Sequence, residues 1–264
     1  PDGREMPAPG LFARLTETPM GVRCWAPSLG QHNGEILGGI LGLSSGEIAE
    51  ATGSERAYEE FMTEQLPFEG LKVADFSWVG VGPITAKYLA DHGATVVRVE
   101  TEGRPDILRI AGPFKDGVPG PNRSHFYGDF NASKYGLTLD LKNQAGLDVA
   151  CRLIEWADVY IESFTAGTMS ALGIGYERAR ELNPGILMVS TCLMGQTGSA
   201  RSFAGYGFHA GAIAGYYEIT GWPDLPPDGP WTAYTDTVSP RFIAALVMAA
   251  LDHRRRTGRG QHID

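Results

Sequence analysis

Leu71-Lys72-Val73-Ala74-Asp75-Phe76, followed by Val79-Gly80-Val81-Gly82-Pro83, is the stretch on which the fold of this chain turns. The first six residues read as a short apolar strand, and a glycine-rich turn then leads into a helix entering at Pro83 and running to about His92. Proline just inside a helix start and Gly93 just past its end follow the asymmetry of helix termini. Thr95 to Val99 is β-branched and apolar, a second buried strand. Working outward, further strands are expected over residues 136–141, 158–161 and 186–191, with helices over 144–156 and 176–182 between them. Short apolar strands alternating with helices give an open parallel sheet with helices on both faces, an α/β fold.

The flanks read differently. Residues 1–66 carry Gly21-Val22-Arg23, then Pro27-Ser28-Leu29-Gly30-Gln31-His32-Asn33, then two short helical patterns over 34–43 and 45–52. Ser44 or Ser45 can cap the second, with Glu47 in its first turn. This mainly helical segment has too little apolar surface for a core of its own and is expected to pack on something else. Residues 67–264 form the large domain. Near its end, Gly221-Trp222-Pro223-Asp224-Leu225-Pro226-Pro227-Asp228-Gly229-Pro230 must be a loop, followed by Thr235-Asp236-Thr237 and an apolar helix over 241–253. A chain running from Pro1 to Asp264 is expected to be a piece of something longer.

With 43% hydrophobic and 20% charged residues in 264, the chain can bury a sizeable core. A net charge of −9 argues against a nucleic-acid partner and an anionic membrane, although a few local donors can still hold a phosphate-bearing ligand. Cys24, Cys151 and Cys192 are far apart and form no CxxC or Cys/His cluster, so neither a disulfide framework nor a metal site is expected. A reducing cytoplasm is the simplest setting. The start has no signal-peptide pattern, and the apolar run over 242–251 is too short to span a bilayer.

Two places can carry chemistry. The turn around Gly80 and Gly82 lets backbone approach a ligand at a helix start, although Thr85 breaks the full dinucleotide-binding spacing and a plain tight turn stays open. Asp236 stands near a helix start, where a carboxylate serves as an N-cap or, in the right setting, as a nucleophile. His125 and His209 have no partner at a diagnostic spacing, and the run His253-Arg254-Arg255-Arg256 reads as a solvated helix end complementing its dipole.

Several blocks together resemble the class III CoA-transferases, the family of formyl-CoA and carnitine CoA-transferases. They are residues 66–76; Gly82-Pro83; Leu89-Ala90-Asp91-His92-Gly93-Ala94-Thr95-Val96-Val97-Arg98-Val99-Glu100; and Asn131-Ala132-Ser133-Lys134-Tyr135-Gly136-Leu137-Thr138-Leu139-Asp140-Leu141-Lys142. Ala157-Asp158-Val159-Tyr160-Ile161-Glu162-Ser163-Phe164, Leu182-Asn183-Pro184 and Arg254-Arg255-Arg256-Thr257-Gly258-Arg259-Gly260-Gln261 complete the series. The resemblance implies a Rossmann-like domain whose crevice binds coenzyme A or an acyl-CoA as substrate, in subunits that interlock as a dimer. It implies a carboxylic acid as the second substrate. The family's nucleophilic aspartate corresponds to Asp236. Its coenzyme A contacts correspond to Gly80, Val81 and Thr101, to Leu139, Asp140, Leu141 and Lys142 on the third strand, to Ser163, Phe164 and Thr165, and to Tyr206. Gly80 replaces a glutamine of formyl-CoA transferase, and Ala171 stands where an arginine commonly reaches the phosphates.

Residues 20–52 resemble the family's carboxyl-terminal tail, with residues 27–33 as its P-x-LG-x-H motif. A tail ahead of a head implies the junction of a tandem fusion, such as the dimethylsulfoniopropionate CoA-transferase/lyase type, a circular permutation, or an artificial assembly. The remaining part of the transferase, or a second module, would then be a partner. The rival readings are an α-methylacyl-CoA racemase, whose Gly-His-Asp segment is replaced here by Gly205-Tyr206-Gly207, and a catalytically silent coenzyme A-binding module. Trp78, Tyr216, Trp222 and Trp231 surround the expected crevice in sequence; they either pack the loop or offer cation–π faces to an acceptor acid bearing an onium group.

Overall fold

The structure is a computed structural model that describes residues 24, 26–52, 66–230 and 232–264. Six strands form one sheet: β1 (Lys72–Asp75), β2 (Thr95–Glu100), β3 (Tyr135–Thr138), β4 (Val159–Glu162), β5 (Leu187–Ser190) and β6 (Gln261–Ile263). They lie in the order β3-β2-β1-β4-β5-β6, and every pair is parallel. The helices are α1 (Ser45–Thr52), α2 (Val81–Asp91), α3 (His125–Asn131), α4 (Gln144–Trp156), α5 (Thr168–Ala171), α6 (Tyr176–Leu182), α7 (Gly207–Ile213), α8 (Tyr216–Ile219) and α9 (Tyr234–Thr257).

The side-chain alternation of the strands explains why helices cover both faces. Val73, Val96, Val159 and Leu187 point to one side, where Leu89 and Ala90 of α2 and Val247 and Ala250 of α9 meet them. Ala74, Val97, Tyr160 and Met188 point to the other, against Leu153 and Ile154 of α4 and Ala179 of α6. Chain order reverses between β1 and β4, so the carboxyl ends of these two strands splay their loops apart. In open α/β sheets that reversal is where ligands bind. No described helix is long and apolar enough to cross a membrane.

The segment ahead of the sheet packs into the same core: Ile36, Leu37, Leu43 and Ala51 join the α4 side. Ser44 and Glu47 cap α1 reciprocally, the serine amide donating to the carboxylate at 2.8 Å and the Glu47 amide to the serine hydroxyl at 3.4 Å. Residues 35–40 wind as a π-helix rather than continuing an α-helical pattern to 43. Just before them, residues 32 and 33 cover the outer edge of β3. The His32 amide donates to the Gly136 carbonyl at 3.1 Å and the Gly136 amide donates to His32 Nδ1 at 3.0 Å. Burial holds the His32 imidazole down at about 4, so it stays neutral and able to accept. Asn33 and Thr138 exchange two buried bonds of 3.0 Å each. Asn33→Ala would leave the buried Thr138 amide without an acceptor, a loss of about 1–3 kcal/mol. The melting temperature is expected to fall by about 5 °C; an unchanged thermal transition would mean that this edge is not covered by residues 32–33.

Four sequence expectations are corrected. Helix α2 begins at Val81 rather than Pro83, because the first-turn amides need no partner and Pro83 is tolerated there. The third strand ends at Thr138; Leu139 adds one ladder bond to the Glu100 carbonyl at 2.8 Å, and Asp140–Lys142 already turn toward α4. Helix α9 starts at Tyr234, not 241, with Pro240 buried inside it. That proline removes only the amide that would serve the Asp236 carbonyl, and packing against α2 carries the helix across the gap. Arg254 is not simply solvated: its guanidinium pairs with Asp158 at 2.9 Å and ties α9 to the entry of β4. The short strand β6 is an addition that the sequence reading did not anticipate.

Candidate active site

The turn after β1 and the loop after β4 meet at the reversal of strand order. Ser163 Oγ accepts from the Trp78 amide at 2.7 Å and donates to the Trp78 carbonyl at 3.0 Å, and the Trp78 and Phe164 rings lie 5.6 Å apart. Val79 takes a left-handed conformation with φ 68°, unusual for a β-branched residue, and Gly80 caps α2. Gly82 lies so close to the Ser77 side chain that an added Cβ would collide with it. These glycines allow close approach of the turn to the Asp236 and Ser77 side chains.

Asp236 lies in the first turn of α9, half-buried against this turn. A Cβ on Gly80 would stand 3.3 Å from the Asp236 Cβ and Cγ; one on Gly207 would stand 2.9 Å from the Asp236 amide nitrogen and Oδ1. The carboxylate is thus gripped between two glycines, one from the α2 start and one from the α7 start. Burial pushes its pKa up, and a hydrogen bond from the Gly207 amide offsets part of that shift. An acid raised in this way ionises later as pH rises. Any reaction that uses the Asp236 carboxylate as a nucleophile should therefore slow as pH falls through a value above the ordinary aspartate range. A rate of covalent capture that stayed flat down to pH 4 would contradict this.

The remaining candidates from Val81 to Tyr206 follow the carboxyl ends of β1 to β4 or stand at the start of α7. Val81 opens α2 beside Gly80. Thr101 follows β2 next to Leu139, while Asp140, Leu141 and Lys142 form the turn before α4; among the described contacts none joins these five to Asp236. Thr165 is exposed, and its carbonyl accepts from Thr168. Tyr206 is the N-cap of α7, and its amide donates to His209 Nδ1 at 3.0 Å, which gives that histidine a local structural role. Tyr216 meets Tyr234 edge-on at 5.4 Å, Trp222 is 74% exposed, and Trp231 lies outside the described residues. The described rings thus make two separate pairs, Trp78–Phe164 and Tyr216–Tyr234, rather than one aromatic box. No group of metal-binding side chains occurs among the described residues. Sequence reading missed Gly207, although the spacing Gly205-Tyr206-Gly207 marked the place, and it missed Arg98 and Asp106 beneath the turn.

A model of CoA-transferase family III matches residues 68–264. A succinate–glutarate CoA-transferase of Agrobacterium fabrum is 36% identical over 200 residues, covering 75% of this chain and 50% of that protein. The succinyl-CoA:glutarate CoA-transferase of Homo sapiens is 34% identical, covering 77% of this chain and 45% of that one. An acetyl-CoA:oxalate CoA-transferase of Acetobacter aceti is 33% identical, covering 75% and 50%. The crystal structure of a CAIB/BAIF family protein from Brucella suis superposes with a TM-score of 0.69 at 33% identity, covering 76% of this chain and 53% of that one. The chain spans about half the length of the curated relatives it matches.

Proposed function

Because the chain belongs to CoA-transferase family III, we propose that the complete protein moves coenzyme A from an acyl-CoA to a carboxylic acid, with Asp236 as covalent nucleophile. The observation that carries this reading is the half-buried Asp236 carboxylate held between Gly80 and Gly207, at the strand-order reversal where such sheets bind ligands. An Asp236 oxygen attacks the thioester carbonyl, the C–S bond breaks, and coenzyme A leaves as thiolate, giving a mixed anhydride. The thiolate attacks the aspartyl carbon of that anhydride, releasing the donor carboxylate and leaving an aspartyl-CoA thioester. The acceptor carboxylate attacks this thioester and expels the thiolate again. The thiolate then takes the acceptor's acyl carbon and frees Asp236. Each bond broken is matched by one formed and no net proton is consumed, so the thioester's free energy is conserved.

The family resemblance implies Gly80, Val81, Thr101, residues 139–142, Ser163, Phe164, Thr165 and Tyr206 as coenzyme A contacts. The meeting of the Gly80 turn with Ser163 and Phe164 supports the contacts at Gly80, Val81 and residues 163–165. The relatives' names point to small dicarboxylates and short acyl groups, and we assign substrates of that class. Residues 1–66 are read as the tail of a preceding module and 67–264 as the coenzyme A-binding domain, a reading supported by the cover that residues 32–33 give to β3.

The test is capture of the intermediate. The complete protein incubated with an acyl-CoA and quenched with borohydride or hydroxylamine should carry its modification on the peptide containing Asp236, as read by mass spectrometry. Modification on another residue would overturn the assignment.

A further inference from the structure

The turn that grips Asp236 is held from beneath by buried charged side chains that the transfer chemistry does not touch. Asp106 is fully buried: its Oδ2 accepts from the Val79 amide at 3.0 Å and from the Arg98 guanidinium, while its Oδ1 accepts from the Leu108 amide at 2.9 Å. A second nitrogen of Arg98, also fully buried, donates to the Ser77 carbonyl. Asp75 receives the Ser77 amide at 3.0 Å and Lys134 Nζ at 2.8 Å, and the same ammonium reaches the Pro83 carbonyl at 2.9 Å. Glu100 backs the arrangement: it accepts the Asp106 amide at 3.1 Å and grips Arg109 through two bonds of 2.9 and 2.6 Å.

Such clusters are a poor way to stabilise a fold, since taking several charges out of water offsets much of their attraction. One donor in this cluster is left unsatisfied. Arg98 Nε has no hydrogen-bond partner and faces Glu100 Oε2 at 3.7 Å, while the other guanidinium nitrogens are aimed at the Ser77 carbonyl and Asp106. The bonds converge on a segment with a strained conformation, Val79 at φ 68°, immediately before the glycine that touches Asp236. Strain at a β-branched residue persists only where its surroundings over-determine it.

The geometry points to Arg98 and Asp106 as positioning residues for the transfer reaction: they clamp the Val79 amide and the Ser77 carbonyl so that Gly80 is presented to the Asp236 carboxylate. This rests on Asp236 being the nucleophile. Asp106→Asn replaces a carboxylate that accepts from Val79, Arg98 and Leu108 by an amide whose NH2 group cannot accept, so it cannot serve both the Val79 turn and Leu108. Displacing reacting groups by about 1 Å can slow a reaction about a hundredfold, and a loss of that size is expected here.

The experiment measures single-turnover acylation of Asp236 in the complete protein at saturating acyl-CoA, well below the melting temperature of each variant. Asp106→Asn should acylate about a hundredfold more slowly than the native protein. Adding Val79→Gly, which takes φ 68° without strain, should restore at least about tenfold of the lost rate, because less clamping is then needed. A native acylation rate in Asp106→Asn, or a slow rate that Val79→Gly leaves unchanged while only the melting temperature falls, would overturn the clamp. If Asp106→Asn does not accumulate as folded protein, Arg98→Lys, which keeps the charge and loses the fork, is measured in its place with the same two readings. Failure of the native protein to label Asp236 would instead remove the nucleophile, and the clamp with it.

Discussion

Replacing Asp236 by asparagine should reduce turnover by at least about 10⁴-fold and abolish covalent capture, because the amide can neither attack a thioester nor form an anhydride. The same variant should melt no lower than the native protein at neutral pH, and higher if anything. Burial raises the folded-state pKa of Asp236 above that of the unfolded chain. The folded state therefore opposes ionisation: Asp236 detracts from stability above its folded pKa, and this penalty disappears as pH falls below its unfolded value. Asparagine removes that penalty and keeps the shape. A melting curve that fell by several degrees would show that the carboxylate is a structural cap, and retained turnover would show that it is not the nucleophile.

Gly207→Ala is the other variant with a large expected effect. The new methyl would stand 2.9 Å from both the amide nitrogen and Oδ1 of Asp236, and 3.0 Å from the Ala233 carbonyl carbon. Backbone lies on two of those three sides, so the start of α9 must shift rather than a side chain swing away. Turnover is expected to drop about 10²- to 10³-fold, the range for misplaced reacting groups and a lost donor. Gly211→Ala, on the same helix, is the control: its nearest neighbours are 3.8 Å away, and alanine favours the helix over glycine. Equal activity in the two variants would show that the Gly207 approach to Asp236 has no catalytic role.

Much of this architecture was legible in the residues, and the limits have physical causes. The strands were readable because Val73, Val96, Val97, Val159 and Val189 are buried between helix layers, and continuous apolar runs mark such strands. Helices α4 and α6 have the expected bounds, since the strands on either side leave them room and Asn143 caps the first, its side chain accepting from the Gly146 amide. Helix α9 was begun too late because Pro240 looks like a start, and only the packing of α2 against α9 lets a helix run through it. Strand β6 has three residues and no pattern of its own; it exists because β5 offers it an edge. At the site, Asp236 came from family resemblance, since a carboxylate at a helix start is by position alone more often a cap. Gly207 and Asp106 acquire their roles only through contacts across 29 and 27 residues of chain, which no local pattern carries.

The cover that residues 32–33 lay on β3 also has a meaning in the order of synthesis. His32 precedes its partner Gly136 by 104 residues, so the covering segment leaves the ribosome long before the strand edge it will pair with. An unpaired edge on a half-made parallel sheet is a template for pairing between neighbouring nascent chains. Here β3 emerges into the presence of its own cap, in a chain whose remaining parallel pairings wait for residues as late as 261–263. The placing of this segment ahead of the sheet thus shortens the interval in which the growing domain is exposed to misassembly.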